Sequence, residues 1–407
     1  MARILIAGGG IGGLATAVSA TRSGHRAVVL ERNSTFAEIG AGIQLGPNAF
    51  HALDLLGIGE QVRERAVFID ELRFMDGTTN ELVVSMPLTG NYRQRFGNPY
   101  AVVHRGDLYQ PLLAACQASG VDLIHDAAVE SYTQDASRVT VHTADGRRFH
   151  GDVLVGADGI RSTVRHQMLR DGEPRVSGHT IYRSVIPIEQ VPEELRWNAV
   201  TLWAGPRWHF VHYIIAGGNY LNLAATRDDG AREAVAGRAV DRNHVLGSFP
   251  GLSSTARELL ELGQGWREWV LCDRDPIDDW TDGLVVLMGD AAHPMLQYAA
   301  QGACQALEDA VVLGDLLASD ANMAQQLKKF SAERHERTGR TQLVAREMGA
   351  QLYHPANDAA EQRNRMLRSL AVTDLHDKVS WLHGARDFTR SGDRAARSTV
   401  PSQPGIR

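Results

Sequence analysis

Cysteine is scarce in this chain: three residues in 407, Cys116, Cys272 and Cys304, stand far apart with no Cys-x-x-Cys pair. That spacing excludes a disulfide framework and a zinc knuckle, and a reducing cytoplasm is the expected compartment. Long apolar runs are missing as well. No stretch approaches the roughly 18 residues of a spanning helix. The apolar start is broken by Gly8 to Gly13, which makes it a strand and turn rather than a signal peptide. Positive charge is not in excess, with 42 Lys and Arg against 48 Asp and Glu and a net charge of -6. No basic field or polybasic cluster is therefore present to draw nucleic acid or a membrane surface. Internal repeats are absent, and no pattern calls for a metal.

What remains is an ordinary globular composition, 43% hydrophobic over 407 residues, enough for a large core and two domains. Three short segments stand out: Gly8-Gly9-Gly10-Ile11-Gly12-Gly13, Gly156-Ala157-Asp158-Gly159, and Gly289-Asp290-Ala291-Ala292-His293-Pro294. Each follows a β-branched apolar run and precedes a helical pattern. An open α/β sheet places phosphate and sugar ligands at such strand ends.

Arg3 to Ala7 is expected to be a buried strand, and Leu14, Ala17, Val18 and Thr21 mark a helix ending near Gly24. Ala27 to Leu30 is the second strand. Glu31 follows it, 23 positions after Gly8, close to the spacing of an acid that bonds a ribose hydroxyl. The segment Gly40 to Pro47 is expected to be a glycine-rich loop approaching a flat ligand, followed by a helical stretch containing Ala49, Leu53, Leu55 and Leu56. From about Gly178 to Leu271, long alternating stretches predict an antiparallel sheet. Leu284 to Met288 is a strand feeding Gly289, and helices follow to about Leu382.

The fold class is accordingly α/β: a Rossmann-like, doubly wound and mainly parallel FAD-binding domain, an antiparallel-sheet substrate domain, and C-terminal helices. The expected boundaries are 1–72, 98–175 and 270–325 for the first, 73–97 and 176–269 for the second, and 326–383 for the helices. The tail 384–407, rich in Arg, Ser, Gly and Pro, is expected to be disordered.

Gly8, Gly10 and Gly13 remove side chains where the turn tightens, where backbone meets a pyrophosphate, and where helix touches strand, with Gly12 in the same turn; the helix N-terminus then faces phosphate charge. That turn alone does not separate NAD from FAD. Asp158 and Asp290 favour FAD, because an acceptor at each strand end can reach ribityl hydroxyls that NAD lacks, although Asp is also a favoured helix cap. Arg105 is a further flavin candidate, against a plain surface salt bridge. In Trp208 to Tyr213, alternation puts His209, Val211 and Tyr213 on one face and Phe210 with His212 on the other.

As a set, these motifs resemble the class A flavoprotein aromatic hydroxylases, single-component monooxygenases, from Arg3 to about Leu382. Gly-Ala-Gly-Ile-Gln-Leu-Gly-Pro-Asn-Ala from Gly40, Trp-Ala-Gly-Pro from Trp203, Asp273-Arg274-Asp275-Pro276, and Gln297-Tyr298 before Gln301-Gly302-Ala303 carry the likeness to members acting on 3-hydroxybenzoate. The resemblance implies that NADH, with NADPH not excluded, transiently reduces FAD, that O2 gives a flavin hydroperoxide, and that a monohydroxylated benzoate is hydroxylated para to its hydroxyl, giving gentisate. It implies that Arg32, Gln44, Leu45, Gly159, Pro294, Gly302 and Ala303 join the flavin contacts. His209 would activate the substrate hydroxyl, Tyr213 would hydrogen-bond beside it, and Gln297 would be a third contact. His293 would be structural or flavin-adjacent. A homodimer is the default oligomer. A related salicylate or 6-hydroxynicotinate hydroxylase, a flavin-free NAD-dependent dehydrogenase and a non-catalytic flavin-binding protein remain as alternatives.

Overall fold

The computed structural model describes residues 1–37, 41–319 and 322–388. Its first layer is a six-stranded sheet in the order Thr281–Asp282, Val285–Leu287, Val153–Gly156, Arg3–Ala7, Arg26–Leu30, Asp122–Ile124. All pairs are parallel except the first. These strands are short, apolar runs because both faces are covered, one by helix Ile11–Arg22 and the other by a three-stranded antiparallel sheet of Val129–Gln134, Val139–Thr143 and Arg148–Gly151. Helix Ile11–Arg22 lies against helix Gly302–Leu317 so closely that a Cβ on Gly314 would stand 1.9 Å from Ser19 Oγ.

The second layer is an eight-stranded sheet, ordered Ala236–Ala239, Arg267–Asp273, Arg175–Pro187, Tyr220–Asp228, Trp208–Ile215, Ala199–Gly205, Glu71–Asp76, Leu82–Pro87. An antiparallel sheet is expected from the sequence, but Ala199–Gly205 and Glu71–Asp76 run parallel. The reason is connectivity: Glu71–Asp76 enters from the first layer by a crossover, not by a hairpin. The expected boundary at 269 and 270 falls inside the strand Arg267–Asp273. One face of this sheet packs Trp203, Trp208, Phe210, Phe249 and Trp266 into a core of its own, under helix Ser254–Glu261. The other face, with Val211, Tyr213 and Ile215, joins Tyr92, Tyr100 and Val102.

The segment expected to be a glycine-rich loop is instead partly a strand, Gly42–Leu45, paired antiparallel with Ala101–His104. Ile43 and Leu45 alternate as a strand requires, and a partner edge is available, which outweighs the glycines. Gly40 lies outside the described residues. Helix Met323–Glu347 continues into a π-helical turn, Met348–Tyr353, a geometry that recurs at functional sites. The tail is ordered at its start: Phe388 is 5% exposed and packs in the first layer's core. Residues 389–407 of the expected disordered tail lie outside the described residues.

Candidate active site

The three motifs converge because three parallel strands end in register. Ala7 pairs with Gly156, and Gly156 with Leu287, so the glycine turn, Ala157-Asp158 and Gly289-Asp290 leave neighbouring strands at the same edge. Gly8 has φ +103°, and a Cβ there would lie 2.4 Å from the Ala157 carbonyl oxygen. A Cβ on Gly13 would stand 1.9 Å from the Gly8 carbonyl oxygen. Gly12 meets Met288 and Ala306, so turn, third strand and following helix are in contact.

Gly8, Gly10, Glu31, Arg32, Arg105, Asp158 and Gly159 line one cleft of about 470 Å³, a size typical of ligand sites. Gly10 caps helix Ile11–Arg22 and lines the cleft, so the helix N-terminus opens on it. Glu31 accepts from the Gly9 N–H at 2.7 Å and the Asn33 N–H at 2.9 Å, which fixes its carboxylate at the rim. Asp158 has two duties. Its Oδ2 accepts from the Thr163 N–H at 2.8 Å, capping helix Thr163–Leu169, while Oδ1 is buried with no partner. Burial pushes its carboxyl up from the ordinary range. An orphaned buried acceptor in a glycine-walled cleft at a helix N-terminus fits a nucleotide cofactor with hydroxyls to donate.

Asp290 is exposed and does not line that cleft. It stands one strand further along, where its Oδ1 would be 3.9 Å from a Cβ on Gly302, at the start of helix Gly302–Leu317. Ala303 follows in the same first turn. His293 is structural: its Nε2 meets Asp309 Oδ2 at 2.6 Å, and Arg334 Nε donates to Asp309 Oδ1 at 2.7 Å. Asp309 also accepts from the Gly289 N–H at 3.0 Å. Those bonds hold the Asp290 turn against two helices. Pro294 is fixed through its carbonyl, which accepts from Gln342 Nε2 at 3.1 Å.

The second half of the site is the sheet face carrying His209, Val211 and Tyr213. Register adds neighbours: Thr226 is opposite His209, and Asn222 opposite Tyr213. The Gly42 N–H donates to Asn222 Oδ1 at 3.0 Å, and a Cβ on Gly42 would stand 2.5 Å from Tyr213 Cε2. The strand Gly42–Leu45 therefore seals the two layers together. Gln44 takes a hydrogen bond from Tyr100 at 2.6 Å and lies in hydrogen-bonding contact with Tyr213. Leu45 is fully buried in the core, so only its backbone is available to a ligand.

His209 is 2% exposed, and its Nδ1 shares a 2.8 Å hydrogen bond with Nε2 of His354. Burial, with His354 beside it, drives its pKa well below the usual 6.5. Tyr298 and Tyr353 pack around it, with ring centroids at 5.3 and 4.9 Å. Gln297 lies in the turn Gln297–Ala299 and accepts from Arg183 Nη2. His212 faces away, against Trp197 and Trp203. His354, Tyr298, Tyr353 and Arg183 are site residues that sequence reasoning did not place. Among the described residues no cluster suited to a metal ion occurs, and no helix is long and apolar enough to cross a membrane.

A glycine-turn cleft at parallel strand ends, beside a buried polar sheet face, is an arrangement suited to a dinucleotide cofactor. A family model described as FAD binding domain matches residues 1–210 and 250–345, and the chain belongs to that family. It is a flavin-dependent monooxygenase. Its similarity to particular enzymes is extensive. It is 48% identical over 382 residues to 3-hydroxybenzoate 6-hydroxylase 1 of Aquipseudomonas alcaligenes, covering 94% of this chain and 97% of that protein. It is 42% identical to the 3-hydroxybenzoate 6-hydroxylase of Polaromonas naphthalenivorans, covering 94% and 95%. A solved salicylate hydroxylase substrate complex superposes with TM-score 0.81 at 25% identity, covering 94% of this chain and 95% of that one.

Proposed function

We propose that this chain hydroxylates 3-hydroxybenzoate para to its hydroxyl, giving gentisate, with bound FAD, O2 and NADH as transient donor. The observation that carries the reading is the placement of His209 and Tyr213 on the sheet face against which the cofactor-side strand Gly42–Leu45 closes. The pair of 3-hydroxybenzoate 6-hydroxylases at 48% and 42% identity supports the choice of substrate over salicylate.

The residues fit FAD as follows. Gly8, Gly10 and the first turn of helix Ile11–Arg22 would hold the pyrophosphate, Glu31 and Arg32 the adenosine end, and Arg105 and Asp158 with Gly159 the sugar and phosphate groups between; Asp290, one strand beyond the cleft, would meet the cofactor at the start of helix Gly302–Leu317. Gln44, Leu45, Pro294, Gly302 and Ala303 would border the ring system. When bound, FAD supplies the electrons taken from NADH and the activation of O2.

The chain's own residues prepare the aromatic ring. Electrophilic hydroxylation runs fastest on a phenolate-like ring, so the hydroxyl proton must be taken up locally. His209 is neutral, because burial disfavours its charged form. Where Nδ1 donates to His354, its Nε2 is left to accept a hydrogen bond from that hydroxyl and polarise it. Tyr213 stands two residues along the same face after Val211 and orients the ring from the side. Its burial pushes the phenol up to about 12, so it stays a donor. The N-terminus of helix Gly302–Leu317 would favour negative charge on a cofactor bordering it.

The test is direct. FAD-loaded protein is given NADH, O2 and a panel of monohydroxylated benzoates, and products are separated by chromatography. Gentisate formed from 3-hydroxybenzoate in proportion to NADH consumed is expected. Catechol from salicylate, or no phenol-stimulated NADH oxidation, overturns the reading.

A further inference from the structure

The sheet face that carries His209 also carries Arg183. Arg183 pairs across the sheet with Ala224, and Ala224 with Val211. Residues directly opposite share a face, so Arg183 stands on the His209 and Tyr213 side, two strands away. Its Cα lies about 10 Å from that of Val211 and about 12 Å from that of His209.

The surroundings of Arg183 are unusual for a desolvated guanidinium. Arg334, Arg165 and Arg346 each meet an Asp or Glu oxygen at 2.6 to 2.7 Å. Arg183 instead donates to the neutral amide oxygen of Gln297 and lies over the Trp269 ring, 5.9 Å from its centroid. Among the described residues no carboxylate pairs with it. Arg105 adds a second positive charge nearby, and burial together with that charge lowers the guanidinium's pKa. A half-buried cation with no anion, and N–H groups left beyond its single bond to Gln297, is an unbalanced charge that a ligand anion would neutralise.

We propose that Arg183 binds the carboxylate of the aromatic acid, while His209 takes the ring hydroxyl at the opposite end. The inference rests on the reading of the site as one for a hydroxylated benzoate. Two polar anchors at fixed positions leave the ring one orientation, so Arg183 also determines which ring carbon faces the cofactor. Gln297 links the two ends: it accepts from Arg183 and reaches Thr226, the cross-strand neighbour of His209.

The experiment compares FAD-loaded wild type, R183Q and R183K by titrating 3-hydroxybenzoate and the uncharged 3-hydroxybenzamide against the flavin absorbance spectrum, a binding readout independent of turnover. R183Q is expected to weaken 3-hydroxybenzoate by about 100-fold while changing 3-hydroxybenzamide by no more than about 3-fold, with R183K intermediate. Unchanged 3-hydroxybenzoate affinity, or equal loss for both ligands, overturns the assignment. Should R183Q fail to take up FAD, the acid-to-amide affinity ratios of wild type and R183K decide, and a wild-type ratio near one overturns it. Product analysis is run on the same samples. A wild type that prefers the acid but forms no gentisate refutes the proposed reaction and leaves the carboxylate site standing; a wild type that binds neither ligand refutes both.

Discussion

His209 and His354 face each other as one hydrogen-bonded pair, Nδ1 to Nε2 at 2.8 Å, with ring planes 28° apart and centroids at 5.0 Å. Only one of the two rings can supply the proton of that bond, so the state of one fixes the tautomer of the other. His354 arrives from far along the chain, just after the π-helical turn Met348–Tyr353. Burial holds it neutral too, at about 3. Where His209 supplies that proton, its Nε2 is left as an acceptor.

Removing the acceptor should separate binding from chemistry. His209→Ala is expected to keep FAD, because no cleft-lining residue is touched, and to lower coupled hydroxylation by roughly 10²- to 10⁴-fold. NADH oxidation measured beside product formation makes the distinction. Unchanged gentisate yield removes His209 from the mechanism.

His354 acts only through His209, so its replacement should show a different signature. His354→Phe leaves the packing against Tyr298 and Tyr353 but frees the His209 tautomer, and kcat is expected to fall by about tenfold with KM little altered. His354→Gln, which restores a hydrogen-bonding group, should recover part of the loss. Equal losses in kcat for both variants would reduce His354 to a packing residue.

The two aspartates at the strand ends are distinguishable. Asp158→Asn retains a side-chain oxygen for the Thr163 cap, so the melting temperature of the FAD-free protein should change little. Asp158→Ala also removes the cap, worth about 1 kcal/mol. Both should retain FAD poorly, since both alter the buried Oδ1. Asp290→Ala is expected to weaken FAD retention without lowering that melting temperature, because its exposed carboxylate caps no helix. A fully yellow Asp290→Ala protein after gel filtration would contradict its cofactor role.

Much of this was legible in the chain because it depends on local pattern. The glycine turn follows from Gly8 and Gly13 needing no Cβ, and Trp208–Ile215 matches the strand expected from its alternation, with His209 and Tyr213 on one face. Arg183 was not legible. Its strand shows as alternating, but which of its faces meets His209 depends on the register of three strands from separate segments. His354 was hidden for a related reason: its place is set by a π-helical turn that hydrophobic periodicity does not signal. The strand Gly42–Leu45 was hidden by its own glycines, since pairing with Ala101–His104 is non-local.

The buried histidines make the protein acid-sensitive, and His212 allows this to be measured away from the site. Burial, and to a lesser extent Arg73, pushes His212 down to about 3, and burial likewise brings His354 and His383 to about 3. In the unfolded chain these imidazoles take up protons below about pH 6.5, while in the native state they do not until near pH 3. The unfolded state then binds more protons, so stability must fall as pH drops from about 6.5, by up to about 1.4 kcal/mol per pH unit for each such histidine. His212 sits between Trp203 and Phe210 with its Nε2 lacking a partner. His212→Phe fills the same aromatic slot and removes both the titration and the orphaned nitrogen. Its stability at pH 7.5 should equal or exceed wild type, and its loss between pH 6.5 and pH 5 should be shallower by about 1 kcal/mol per pH unit. Urea midpoints taken across that range decide the matter: parallel curves for the two proteins would mean that His212 is protonated in the native state after all.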